Sequence, residues 1–263
     1  MALLLKNNAV FLHVPKTGGT WVAELLKHLG LVKTPVGGSR TDFERLFWYD
    51  RFHRDEKVFR NLIRRRLGWL PHINPGCFKF CFVREPLSWY VSWWRFMECR
   101  KWRSQGDEKN PYHKSPVEML NGLGSHDFNT FVDNVNRKRP GFVTEMYGWY
   151  ARPSVAFVGK QENLRRDLLE ALSLMRMKTD VAEIETFPEM NVSPPTIHCP
   201  EWDPKLKQKT YRLEYAAYVR YGYAMPEPDA ASTDSIRPSR KAQMPANPSS
   251  HPRQLPLIAE MQR

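Results

Sequence analysis

Residues 8–29 read NAVFLHVPKTGGTWVAELLKHL, and the fold is decided here. Asn8 to Val14 is a short apolar run of the β-prone kind. Pro15 and the Gly18–Gly19 pair interrupt it, and Trp21, Leu25, Leu26 and Leu29 then recur at helical spacing. The order is strand, tight loop, helix start. Such a turn gathers the free N–H groups of a first helical turn at one point, where the helix dipole also favours negative charge. Gly18 and Gly19 let the backbone approach a bound oxyanion closely. Lys16 adds a full positive charge, and Thr17 and Thr20 add hydroxyl donors. The nucleoside-triphosphate loop G-x-x-x-x-G-K-S/T does not fit, because Val14 stands where its first glycine is needed and Thr20 where its lysine is needed.

Working outward, Cys77 to Val83 (CFKFCFV) reads as a second strand, whose continuous apolar character suits a buried parallel position. Arg84-Glu85-Pro86 follows, then a helix from about Leu87 to Trp102, with Pro86 near its first turn. Arg84 ends a strand, where open α/β sheets bind ligands. Ser92 lies two helical turns beyond it, so both can face one ligand. Val155–Val158 is a third strand, and helices are expected over Phe43–Trp69, Phe128–Asn136, Glu162–Met175 and Lys205–Tyr221. Loops are expected at 33–41, 104–116 and 188–200. Strands alternating with helices imply an α/β domain, P-loop-like, with a mainly parallel sheet flanked by helices.

The chain has 263 residues and a formal net charge of +12. From Ala224 onward there are five Lys/Arg against four Asp/Glu, so nearly all of the excess belongs to residues 1–223. An anionic partner is expected there: a nucleotide, a glycan, a nucleic acid or a membrane surface. Residues 224–263 hold seven of the 21 prolines and no apolar period, the composition of a disordered tail. The domain is therefore placed at 1–223 and the tail at 224–263. No Cys/His cluster has zinc-site spacing, and Cys77 and Cys81 read as buried thiols. Met1-Ala-Leu-Leu-Leu is too short for a secretory h-region, and no membrane span is visible. A cytoplasmic enzyme is the expectation.

Pro15-Lys16-Thr17-Gly18-Gly19-Thr20-Trp21 resembles the 5′-phosphosulfate loop of sulfotransferases that use 3′-phosphoadenosine 5′-phosphosulfate (PAPS), a pattern close to P-K-S/T-G-T/G-T-W. Arg84-Glu85-Pro86 with Ser92 resembles that family's 3′-phosphate site; many relatives carry a second arginine where Trp89 stands. Val158-Gly159-Lys160-Gln161-Glu162-Asn163-Leu164 resembles the segment beside the adenine, which implies a hydrogen bond from Gln161 to the base. Asn191-Val192-Ser193 resembles a loop that closes over the nucleotide. The resemblance implies that Trp21 stacks on adenine. The R-K-G-x-x-G-D-W-K run of the steroid and phenol branch is missing, and the chain looks closer to the carbohydrate-type branch.

That resemblance implies in-line sulfuryl transfer from PAPS to an acceptor hydroxyl or amine, with no metal, and with Lys16 meeting the charge on the leaving oxygen. A glycan acceptor is favoured by the basic face around Arg51, Arg54 and Lys57, and no nucleic-acid partner is expected. The base is expected between the two phosphate motifs. His53 is preferred there, with His72, Glu44 and Glu56 as alternatives. Two other classes compete: a nucleotide or small-molecule kinase, for which no convincing acidic magnesium set is present, and a non-catalytic binder of anionic glycans or nucleic acid.

Overall fold

The computed structural model describes residues 2–36, 77–102, 116–190 and 199–225. Met1–Met225 forms one compact unit. The expected helix over Phe43–Trp69 and nearly all of the expected tail at 224–263 lie outside the described residues.

A five-stranded sheet runs through the described residues in the order β3-β1-β2-β4-β5. The strands are β1 (Ala2–Leu5), β2 (Val10–Leu12), β3 (Val32–Val36), β4 (Lys79–Val83) and β5 (Phe157–Lys160). β2, β4 and β5 pair in parallel, Phe11 opposite Phe80 and Cys81 opposite Val158. β1 is antiparallel to both β2 and β3, so four strands share one direction and β1 opposes them. The mainly parallel sheet expected from the sequence is thus found with one reversed strand. Its cause is local. Residues 6–9 make a tight hairpin, with Asn8 in the left-handed region (φ 64°) and Leu5 N–H bonded to Ala9 C=O at 2.8 Å. Residues 33–36, expected as the start of a loop over 33–41, belong instead to the edge strand Val32–Val36, the position where Pro35 is tolerated.

Helices cover both faces. In chain order they are α1 (Gly19–His28), α2 (Pro86–Cys99), α3 (Phe128–Lys138), α4 (Phe142–Tyr150), α5 (Leu164–Leu174), α6 (Val181–Thr186), α7 (Pro204–Leu213) and α8 (Tyr215–Tyr221). The two-residue alternation of the strands splits the core in two. Leu3, Leu5, Phe11, Phe80 and Phe82 pack with α1, α5 and Ile184 of α6. Leu4, Val10, Leu12, Cys81 and Val83 pack with α2, α3, α4 and Ala217 of α8. Of the two expected core thiols, Cys81 is fully buried and Cys77 half-buried.

The single helix expected over Lys205–Tyr221 is broken at Glu214. Its carboxylate turns inward and accepts from Tyr90 Oη (2.8 Å), Val143 N (3.1 Å), Thr144 N (2.7 Å) and Thr144 Oγ1 (2.7 Å). Burial pushes this carboxyl up from its ordinary value, and those donors oppose the push. They also complete the open N-terminus of α4, whose cap, Gly141, offers no side chain.

Candidate active site

The chain leaves β2 through His13–Gly18 and enters α1. Two residues of this loop hold left-handed backbone, Lys16 (φ 63°) and Gly18 (φ 78°). A lysine there is strained, and such strain concentrates at ligand clamps. Thr17, expected as an anion donor, is 1% exposed and donates its hydroxyl to Val14 C=O at 2.9 Å, which fixes the loop from inside. Trp89 Nε1 donates to Pro15 C=O at 2.8 Å from the α2 side. Gly19 opens α1 against His13: a Cβ there would lie 2.1 Å from His13 Cδ2. No side chain caps α1 and no acid sits in its first turn. The N–H groups of Gly19, Thr20 and Trp21 therefore face outward with the dipole behind them.

Lys16 reaches over the Phe96 ring, its Nζ 4.4 Å from the centroid. Burial brings its ammonium down to about 8, the nearby Arg84 and Arg100 charges push the same way, and Cys99 opposes them. Arg84 follows β4 directly. Its backbone is held by Tyr147, whose hydroxyl accepts from Arg84 N–H (3.1 Å) and donates to Arg84 C=O (2.8 Å). Arg84 Nε is buried with no hydrogen-bond partner among the described residues. Burial also lowers the guanidinium from its ordinary value, against the pull of Glu162, Tyr147 and Glu85. The structure therefore brings together Lys16 and Arg84, the cations of the two motifs, at the ends of adjacent parallel strands. Ser92 is half-buried on α2, two turns beyond Arg84.

Glu85 is the N-cap of α2. It accepts from Leu87 N (3.2 Å), Ser88 N (2.5 Å) and the Tyr218 hydroxyl, while its own N–H donates to Glu162 Oε1 at 2.7 Å. Gln161 stands beside the loop, since a Cβ on Gly18 would lie 3.4 Å from Gln161 Cγ. Trp21 is 5% exposed; its Nε1 donates to Pro188 C=O (3.0 Å) and the Arg165 guanidinium lies 5.2 Å from its ring. His53, His72, Glu44, Glu56 and Asn191–Ser193 lie outside the described residues.

Several supporting residues escape a reading of the sequence. His13 floors the loop beneath Gly19, and burial pushes its imidazole down to about 3, with the Lys16 charge adding to the effect. It is therefore neutral at physiological pH. Trp89 joins the two motifs, Tyr147 holds the strand end and Phe96 carries the lysine. A two-residue alternation from Phe11 to His13 was the available signal for the first. Tyr147 and Trp89 act across 63 and 74 residues, beyond any local pattern.

Among the described residues no group of three or more His, Cys, Asp or Glu could hold a metal ion, and no helix is long and apolar enough to cross a membrane. No curated protein and no solved structure matches the chain. Residues 5–224, which span both cationic strand ends and every helix described, match the model of the sulfotransferase family, so the chain belongs to that family and is a transferase.

Proposed function

We propose that the chain moves a sulfuryl group from PAPS to an acceptor hydroxyl or amine. The observation that carries this reading is the pairing of Lys16 with Arg84. Two half-buried cations stand within electrostatic reach of each other, and neither forms a salt bridge among the described residues. Gathering like charges is unfavourable unless anions neutralise them. PAPS carries anions at both of its ends. The 5′-phosphosulfate would take Lys16, the Gly18–Thr20 backbone and the Thr20 hydroxyl; the 3′-phosphate would take Arg84 and Ser92; Gln161 and Trp21 would serve the adenine.

In the transfer the acceptor oxygen or nitrogen forms a bond to sulfur while the bond from sulfur to the phosphate oxygen breaks. That electron pair stays on the phosphate, giving 3′-phosphoadenosine 5′-phosphate. Charge on the bridging oxygen grows toward the transition state, where Lys16 stabilises it. The acceptor proton passes to a base, for which His53 is the first choice and His72, Glu44 and Glu56 are the others. The net charge of +12 favours an anionic glycan as acceptor, in keeping with the carbohydrate-type branch.

Calorimetry with 3′-phosphoadenosine 5′-phosphate, against ATP–magnesium, tests the donor. Transfer from radiolabelled PAPS to a panel of glycan, phenol and amine acceptors tests the reaction. Tight binding of ATP–magnesium without binding of the adenosine bisphosphate would overturn the reading in favour of a kinase.

A further inference from the structure

Beside α2 lies a cavity of about 250 Å³. Its walls include the indoles of Trp93 and Trp102, the side chains of Met97 and Leu120, and Ser125 and His126. The walls are fixed. Trp102 lies flat over Gly124, where a Cβ would meet the ring at 2.3 Å. Trp94 Nε1 holds the opposite loop through Ser125 C=O at 2.9 Å. Glu98 clamps two walls at once, accepting from the Trp102 indole N–H and pairing with His126 Nδ1 at 3.0 Å.

Two features show what the cavity would take. Trp93 is 3% exposed, yet its indole N–H has no acceptor among the described residues. A buried donor of this kind costs free energy until an oxygen fills the place. The Trp93 ring is stacked on Trp89 (centroids 5.6 Å apart, 4° between planes) and Trp102 packs on Phe131 (5.2 Å), so the indoles offer the cavity their remaining edges, which with Met97 and Leu120 make an apolar lining. His126 is the only ionisable residue among those lining the cavity, and Glu98 already pairs with it. Among the described residues lining the cavity, none offers a charged guest a free counter-ion.

We infer that this cavity binds a neutral six-membered ring bearing an oxygen, lodged between the indole edges, Met97 and Leu120 with the oxygen accepting from Trp93. Assigning that ring to the acceptor rests on the sulfuryl-transfer reading. The link is short: Trp93 packs on Phe96 with centroids 5.6 Å apart, and Phe96 lies under Lys16. The ring would anchor the acceptor one aromatic side chain away from the reacting centre, leaving the nucleophile free to extend toward Lys16. A phenol and a pyranose both have this chemistry.

Proton–nitrogen NMR correlation spectra of the full chain, following the indole N–H signals of its nine tryptophans, test this directly. Trp93→Phe assigns the Trp93 signal. Phenol and methyl β-glucopyranoside are the two probes, titrated separately. The Trp93 signal should shift saturably with at least one of them, and the one that binds identifies the ring. Trp102→Ala should weaken that binding about three- to tenfold through lost apolar contact. Trp93→Phe, which keeps a ring but no donor, should weaken it about two- to tenfold. The same Trp102→Ala protein should show a raised acceptor KM with donor affinity unchanged. A Trp93 signal that neither probe moves, or Trp102→Ala binding equal to wild type, overturns the site. 3′-Phosphoadenosine 5′-phosphate, titrated into the same samples, separates the two readings. If it binds and the rings do not, the cavity assignment fails alone. If the rings bind and it does not, the activity reading fails and the ring site stands.

Discussion

The protonation of Lys16 should be visible in the rate. Its ammonium is brought down to about 8, chiefly by burial and then by the Arg84 charge. A lowered lysine carries its charge below that value and loses it above. About nine-tenths of the free enzyme is protonated at pH 7 and about one-tenth at pH 9. In the proposed mechanism only the ammonium stabilises the leaving oxygen, so kcat/KM for the donor should fall about tenfold between those two pH values. The kcat limb should lie higher, because bound phosphosulfate favours the charged form. The assay is sulfuryl transfer at limiting donor across the alkaline range. Lys16→Arg, whose guanidinium stays protonated throughout, should lose the alkaline limb while running at a lower maximum, since its wider head fits the lysine's place poorly. Lys16→Ala should lower kcat by about 10²–10³-fold, more than it weakens donor binding. Wild-type kcat/KM that is level from pH 7 to 9, or a Lys16→Arg profile that keeps the same limb, refutes the assignment of the charge to Lys16.

Arg84→Ala should weaken binding of 3′-phosphoadenosine 5′-phosphate by about 1.5–3 kcal/mol, read by calorimetry, through loss of a charge-assisted contact. Gly19→Ala must displace the His13 imidazole, whose Cδ2 lies 2.1 Å from the new Cβ. It should cost about 1–3 kcal/mol in urea unfolding and weaken donor binding with it. Glu214→Ala leaves the Tyr90 hydroxyl and the Val143 and Thr144 N–H groups without their acceptor. At about 1–3 kcal/mol for each unsatisfied buried group, unfolding free energy should drop by about 3 kcal/mol or more.

What was legible in the sequence was what is local. Pro15–Trp21 and Arg84–Ser92 carry their own turn, cap and helix signals, and the structure sets both at strand ends. The strand expected at Val155–Val158 is found two residues later, because Phe80 pairs with Phe157. Ala2–Leu5 was weighed only as a secretory h-region and given no element, although all four residues are fully buried once two neighbours flank them. Phe142–Tyr150 was given no element: its apolar residues stand at helical spacing, but it is rich in aromatic and β-branched residues with Gly148 inside, all poor helix formers. Tertiary burial of Phe142, Val143, Met146 and Tyr147 overrides that propensity. At the site, the residues that hold others in place were hidden because their partners are remote. Nothing near Tyr147 in the chain announces Arg84, and nothing near Trp89 announces Pro15.

The strand end that bears Arg84 is held from far down the chain. Tyr147 grips its backbone, Glu162 takes the next N–H, and the Tyr218 hydroxyl reaches Glu85 across 133 residues. Loop closures of that span are slow and come late in folding. During synthesis the glycine turn and its lysine emerge early, but the arginine half of the cleft lacks its braces until α8 has left the ribosome. On the proposed reading of Arg84, a chain stalled or cleaved before Tyr218 would display the lysine loop without the brace that the Tyr218 hydroxyl gives the arginine motif through Glu85.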